Sequence, residues 1–225
     1  MSWLTNTLTS TIGRKVIMAL SGLFLISFLA VHFSGNISLL FEDRTAFNQY
    51  TNFMTSFWLI RVLELGLVAG FAIHIFTAAV LTKKNSDARP TKYAYSKPEA
   101  NSTWTSRNMG ITGSLILAFL LLHLYQFWWA YKGIGEPLDG EYKDMYAVVY
   151  ETLGNPVFMI IYVVTFLILA MHLAHGFESA FQTLGFRHPK YTPIIKNLGK
   201  AVAAIFPIGF AVIAVIVFLK ANGYV

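Results

Sequence analysis

Five long apolar stretches dominate the chain, at about residues 16–41, 57–81, 108–131, 152–178 and 200–220. Val16 to Phe41 contains no Asp, Glu, Lys or Arg. The second stretch contains only Arg61 and Glu64, both near its start. The third contains none, and the fourth none before Glu178 closes it. The fifth is uncharged between Lys200 and Lys220, with Pro207 inside it, where a kink is expected. A helix of about 20 apolar residues crosses a hydrocarbon core of about 30 Å, whereas membrane strands are shorter and alternate. The pattern therefore predicts an all-α membrane protein of five transmembrane helices, with residues 1–225 forming one transmembrane domain. No internal repeat is evident.

Composition agrees with that reading. Of the 225 residues, 56% are hydrophobic and 12% charged, and mean hydropathy is +0.56. A soluble domain of this length needs more charge to cover its surface. The net charge of +6 does not point to nucleic acid, because the basic residues form no continuous patch. They lie in the polar links: Arg14 and Lys15; Lys83, Lys84, Arg89, Lys92, Lys97 and Arg107; Arg187, Lys190, Lys196 and Lys200. The third link is acidic, with Glu136, Asp139, Glu141, Asp144 and Glu151 against Lys143. The positive-inside rule then sets the N-terminus in the cytoplasm and the C-terminus outside. Trp58, Trp128 and Trp129 fall at the outer interface, where indoles prefer to sit. The first apolar stretch follows Arg14-Lys15 and is too long for a signal-peptide core, so it reads as a span. There are no cysteines, which excludes disulfides, thiolate metal sites and an iron–sulfur cluster on this chain.

The chemistry sits in the histidines. Five of the six lie in spans: His32, His74, His123, His172 and His175. Ionisable residues in hydrocarbon are costly and mark function. One such residue alone reads equally well as a neutral imidazole bonded to a neighbouring helix; at least one on each of four successive helices does not. Depth sorts them. At about 1.5 Å per residue, His32 lies roughly 24 Å and His123 roughly 21 Å from the inner ends of their spans. His74 and His172, on helices that run back, lie roughly 11 Å and 9 Å from the inner ends of theirs. The expectation is two pairs at two depths, His32 with His123 toward the outside and His74 with His172 toward the inside.

Paired imidazoles facing across a helix bundle suit a six-coordinate haem iron, which then transfers electrons because no axial position is open. The first four helices would hold two haems. With no Cys-x-x-Cys-His sequence, the haems would be of the non-covalent b type. Zinc prefers a tetrahedral cluster at one depth, which two separated pairs do not supply. His175 lies three residues after His172, about 60° off its face, so either can be the ligand. The other can bond a haem propionate or a neighbouring helix. His188, in a link beside Pro189, reads as solvated.

Gly13-Arg14-Lys15, Ser21-Gly22 and His32-x-x-Gly35-Asn36 resemble the first helix of the diheme cytochrome b membrane-anchor subunit of succinate dehydrogenases and fumarate reductases. The stretch from His172 through His175-Gly176 to Gly185 resembles that subunit's fourth helix. In the family a glycine follows the ligand by four residues, which here selects His172 with Gly176. A residue without a side chain lets the macrocycle approach the backbone. The likeness covers most of the chain in helix count, length and histidine order.

That resemblance implies a chain in a bacterial cytoplasmic membrane, carrying a flavoprotein subunit and an iron–sulfur subunit on the cytoplasmic face. Succinate and fumarate would be interconverted on the flavin, not here. Electrons would pass by the inner and outer haems to a quinone, commonly menaquinone in the two-haem class. Arg14 is a candidate partner for a propionate of the inner haem, and it serves equally as a topology signal. Arg61 and Glu64 are three apart on one helical face. They read either as an interfacial ion pair or as a proton-exchanging edge of the quinone site. The family's fumarate reductases can carry a glutamate two residues before the fourth-helix ligand; here Ala170 stands there, so the likeness does not extend to that proton route. The alternatives are a cytochrome b subunit of a hydrogenase or formate dehydrogenase, and a proton-coupled transporter with histidine relays. The transporter predicts helices broken near the midplane, and only Pro207 approaches that.

Overall fold

The computed structural model describes residues 3–41, 43–88, 97–134 and 144–225. The link residues Arg89, Lys92, Glu136, Asp139, Glu141 and Lys143 lie outside them. In chain order the described α-helices are α1 (Trp3–Thr9), α2 (Thr11–Asn36), α3 (Arg44–Ser56), α4 (Trp58–Asp87), α5 (Trp104–Arg107), α6 (Met109–His123), α7 (Met145–Gly154), α8 (Pro156–Thr183) and α9 (Thr192–Ala221). A 3-10 turn, Ile37–Phe41, extends α2, and a π-helical stretch, Leu124–Ile134, extends α6. The described residues contain no strand.

Five of these segments are long and apolar enough to cross a membrane: Thr11–Phe41, Trp58–Asp87, Met109–Lys132, Pro156–Thr183 and Thr192–Ala221. The protein is an all-α, multi-pass membrane protein. Large apolar side chains such as Leu65, Phe76, Leu121 and Ile205 are exposed along the spans, as hydrocarbon permits. Trp58, Trp128 and Trp129 are exposed as well.

Local chemistry sets the boundaries that hydropathy leaves open. The fourth span begins at Pro156, not at 152. Asn155 caps it through a bond from the Val157 N–H (2.9 Å), and proline suits the first helical position. Thr152 belongs instead to α7, a separate short helix. The first span starts earlier than 16, because Ser10 accepts from the Gly13 N–H (2.9 Å). Gly13 is needed there: a Cβ would collide with the Thr7 carbonyl. The fifth helix starts at Thr192 rather than 200 and continues through Pro207, whose side chain is buried.

α2 packs on α4 and α8, and α6 packs on α8 and touches α4, so these four helices enclose a common interior. α9 lies along α8 and against α2. Its contact face reads Gly199, Ala203, Pro207, Phe210, Ala214 and Val217, all buried at three- or four-residue spacing. Phe177 of α8 seats against Gly199, and the Phe33 ring of α2 occupies the space a Cβ at Gly209 would fill.

One end of the bundle carries α3 and α7, which hydropathy alone does not reveal; we call it the cap end and the other the base end. Asp144 ties the cap together. It accepts from the Ala147 N–H (3.0 Å) at the start of α7 and from Asn48 Nδ2 (2.8 Å) on α3, and it pairs with Arg44. Asn48 Oδ1 accepts in turn from the Tyr146 N–H (3.0 Å). Burial alone would raise the Asp144 carboxyl. The bonds from Asn48 and the Ala147 N–H, with the Arg44 guanidinium, outweigh it and hold the group below its usual range. Because its folded value is depressed, its stabilising effect is complete above the unfolded value of about 3.9 and is lost as pH falls through the folded one. Asp144→Ala is expected to cost about 1–3 kcal/mol, through the donors it leaves unpaired. Thermal unfolding in detergent at pH 7 and pH 3 checks this, and the gap between variant and parent should narrow at the lower pH.

Candidate functional site

The four enclosing helices bring their histidines together in two layers. In the cap layer His32 of α2 faces His123 of α6, with ring centroids 5.8 Å apart and planes at 88°. Phe28 stacks on His32 (5.5 Å) and Phe119 on His123 (5.7 Å), while Phe210 of α9 lies 5.6 Å from His32. In the base layer His74 of α4 and His172 of α8 lie close enough for their charges to interact. Two imidazoles each bound at about 2 Å to one metal ion have centroids on the order of 6 Å apart, so the cap-layer spacing suits a shared ion.

The hydrogen bonds of these rings have a common logic. Ser21 Oγ of α2 lies 3.2 Å from His74 Nδ1 and donates its proton to the Met18 carbonyl (3.1 Å). Thr112 Oγ1 of α6 lies 3.2 Å from His172 Nδ1 and donates to the Asn108 or Met109 carbonyl, each at 3.2 Å. Tyr162 Oη of α8 lies 3.3 Å from His123 Nδ1 and donates to Gln126 Oε1 (2.7 Å). A hydroxyl has one proton. Each of these is spent on a carbonyl oxygen, so each hydroxyl accepts from the imidazole. The network thus assigns the proton of all three rings to Nδ1 and leaves Nε2 with a free lone pair. The His32 ring makes no hydrogen bond to a described residue and is contacted by the rings of Phe28, His123 and Phe210.

Two glycines make room for the base-layer rings. A Cβ at Gly22 would lie 3.4 Å from His74 Cε1, and one at Gly113 3.5 Å from His172 Cε1. Ser21-Gly22 on α2 and Thr112-Gly113 on α6 thus play the same part for opposite imidazoles. Each hydroxyl precedes the cap-layer histidine of its own helix by eleven residues. Eleven residues are three turns, within about 20° of one face and roughly 16 Å along the axis. This hydroxyl-to-histidine spacing is a local repeat between the first and third spans, and composition and hydropathy do not show it.

The remaining candidates fall outside this core. His175 interacts electrostatically with Glu178 and His172 but makes no hydrogen bond to a described residue. A Cβ at Gly176 would meet only Met109 Cε, at 4.0 Å, so space stays open beside it. Arg14 makes no ion pair with a described residue. Arg61 and Glu64 do form an ion pair, and it is part of a larger network. Glu64 Oε1 accepts from Trp128 Nε1 (2.8 Å) and lies 3.7 Å from Lys132 Nζ, while Arg61 sits 5.9 Å from the centre of the Tyr131 ring. Sequence reasoning missed Thr112, Gly113, Tyr162 and Gln126.

Among the described residues, no three of His, Cys, Asp and Glu gather closely enough to hold a metal ion by themselves. The arrangement offers pairs. No family model, curated protein or solved structure matches the chain. Its chemistry is therefore read from its own geometry.

Nitrogen-15 NMR of histidine-labelled protein should show His74, His123 and His172 as Nδ1–H tautomers. Ser21→Ala and Thr112→Ala should let His74 and His172, respectively, populate both tautomers. Nε2–H forms in the parent protein would refute the assignment.

Proposed function

We propose that this chain is a membrane anchor and electron-transfer subunit of a succinate:quinone oxidoreductase, holding two b haems. His32 and His123 would bind one, and His74 and His172 the other. One observation carries the reading: His32 and His123 face each other, His74 and His172 lie within electrostatic reach of one another, and three of the four rings have Nδ1 tied so that Nε2 is free to bind iron. The residues fit the group, since an axial ligand must be neutral imidazole with its second nitrogen anchored. Gly22 and Gly113 set the base-layer rings close to backbone, and aromatic rings line the cap layer. Bound between two protein ligands, haem supplies one-electron exchange without an open coordination site.

The protein's own part is to hold and insulate. Ser21, Thr112 and Tyr162 fix ring orientation, and the rings of Phe28, Phe119 and Phe210 insulate the cap layer. Partner identity rests on the motif resemblance of the first and fourth spans. A flavoprotein and an iron–sulfur subunit would dock at the base end, which carries Arg14, Lys83, Lys84 and Lys196, and which the charge pattern assigns to the bacterial cytoplasm. There the base-layer haem would be the nearer acceptor. His172 is preferred over His175 because it alone of the two is anchored by a hydroxyl on another helix. The network of Glu64, Arg61, Trp128 and Lys132 gives the cap end a carboxylate beside hydrogen-bond donors. We assign it to quinone binding and proton exchange, with menaquinone the expected quinone.

A reduced-minus-oxidised spectrum with pyridine haemochrome quantification should give about two haem b per chain; protein made with ample haem yet containing none would end the proposal. His32→Ala and His123→Ala should remove one redox component, His74→Ala and His172→Ala the other, and His175→Ala neither. Glu64→Gln should slow quinol-linked reduction at least tenfold while both haems stay in place. An unchanged rate would leave the network a structural ion pair.

A further inference from the structure

Gln126 stands at the end of the hydrogen-bond chain that begins at His123. The His123 Nδ1–H meets Tyr162 Oη, and Tyr162 donates to Gln126 Oε1. The other end of that amide, Nε2, is buried and has no hydrogen-bond partner among the described residues. Its hydrogen-bond partner Tyr162 is ringed by Phe119, Phe127 and Phe166. A buried amide N–H without an acceptor is strongly unfavourable, and native proteins keep few such groups. Gln126 also lies in the π-helical stretch that starts at Leu124, directly after His123. Such winding is uncommon and concentrates at functional sites.

The missing partner must be an acceptor, since an amide nitrogen only donates. Resting on the two-haem reading, we infer that Gln126 Nε2 is the hydrogen-bond donor to a carboxylate of the haem bound by His32 and His123. Each b haem brings two carboxylates into a medium that penalises unpaired charge. The cap-end cations of the described chain are already engaged. Arg44 pairs with Asp144, Arg61 and Lys132 with Glu64, and Lys220 Nζ donates to the Leu40 carbonyl (3.2 Å). Two buried donors are left over among the described residues, the Tyr150 hydroxyl on α7 and the neutral amide of Gln126, and of these Gln126 is the one joined through Tyr162 to His123. It would link a haem carboxylate, through Tyr162, to the Nδ1 side of the His123 ligand. Gln126 is thus a cofactor-contacting residue as well as a positioning one.

Potentiometric titration of the full-length protein tests this, with the component lost in His32→Ala taken as the cap-layer haem. Gln126→Leu removes the donor, leaves the carboxylate less compensated and should lower that component's potential. Gln126→Glu, nearly isosteric, adds negative charge and should lower it further. It also keeps the test open if the leucine variant does not fold. The other component should not move. Unchanged potentials in both variants, or equal shifts of both components, would overturn the assignment and leave the amide facing water. Loss of quinol oxidation with both potentials unchanged would transfer the amide to a quinone carbonyl and overturn it too. Wild-type protein with two haems and unresponsive Gln126 variants removes this inference alone; wild-type protein without haem removes the two-haem reading with it.

Discussion

The bond between a hydroxyl on one helix and an imidazole on the next organises this protein. In hydrocarbon no water competes for a polar group, so a buried imidazole N–H without an acceptor on the protein is costly, and three of the four layer histidines have one. Ser21 answers His74 from α2, Thr112 answers His172 from α6, and Tyr162 answers His123 from α8. Each bond crosses between helices and each fixes a tautomer. Helix association and imidazole orientation are therefore one event. A four-helix interior built this way cannot assemble out of register without leaving a polar group unpaired.

Much of this was legible in the chain. Five long apolar stretches gave the fold class, because a long apolar helix has few alternatives to a membrane. The depths of His32, His74, His123 and His172 followed from helix rise, and depth suffices to say which rings can meet. The helix boundaries were less legible, since they depend on capping: Asn155 and Pro156 divide what hydropathy reads as one segment. The partners of the imidazoles escaped for a different reason. A serine, a threonine and a tyrosine in apolar helices are common, and only the register between helices singles out Ser21, Thr112 and Tyr162. The spacing of eleven residues was the available signal, and it becomes meaningful once Gly22 and Gly113 are seen against the rings. The role of Gln126 could not be read from sequence, because burial, not identity, makes it conspicuous.

The cap end uses a second principle. Where the bundle meets the interface, charged groups are permitted, and Asp144 binds α3 to α7 through Asn48 and Arg44. Glu64 likewise joins α4 to the π-helical end of the third span through Trp128 and Lys132. The interior is thus held by neutral bonds and the cap end by ionic ones, so salt and pH act on the cap and spare the layers beneath.

The eleven-residue offset between hydroxyl and histidine turns α2 and α6 into rulers. Each carries a base-layer contact and a cap-layer histidine on one covalent rod, so the gap between layers is set by helix rise and not by side-chain packing. A helix that slid along its axis would break both of its contacts together. The two histidine layers are thus mechanically yoked, and substitutions that loosen the bundle should abolish the pair before they change its spacing.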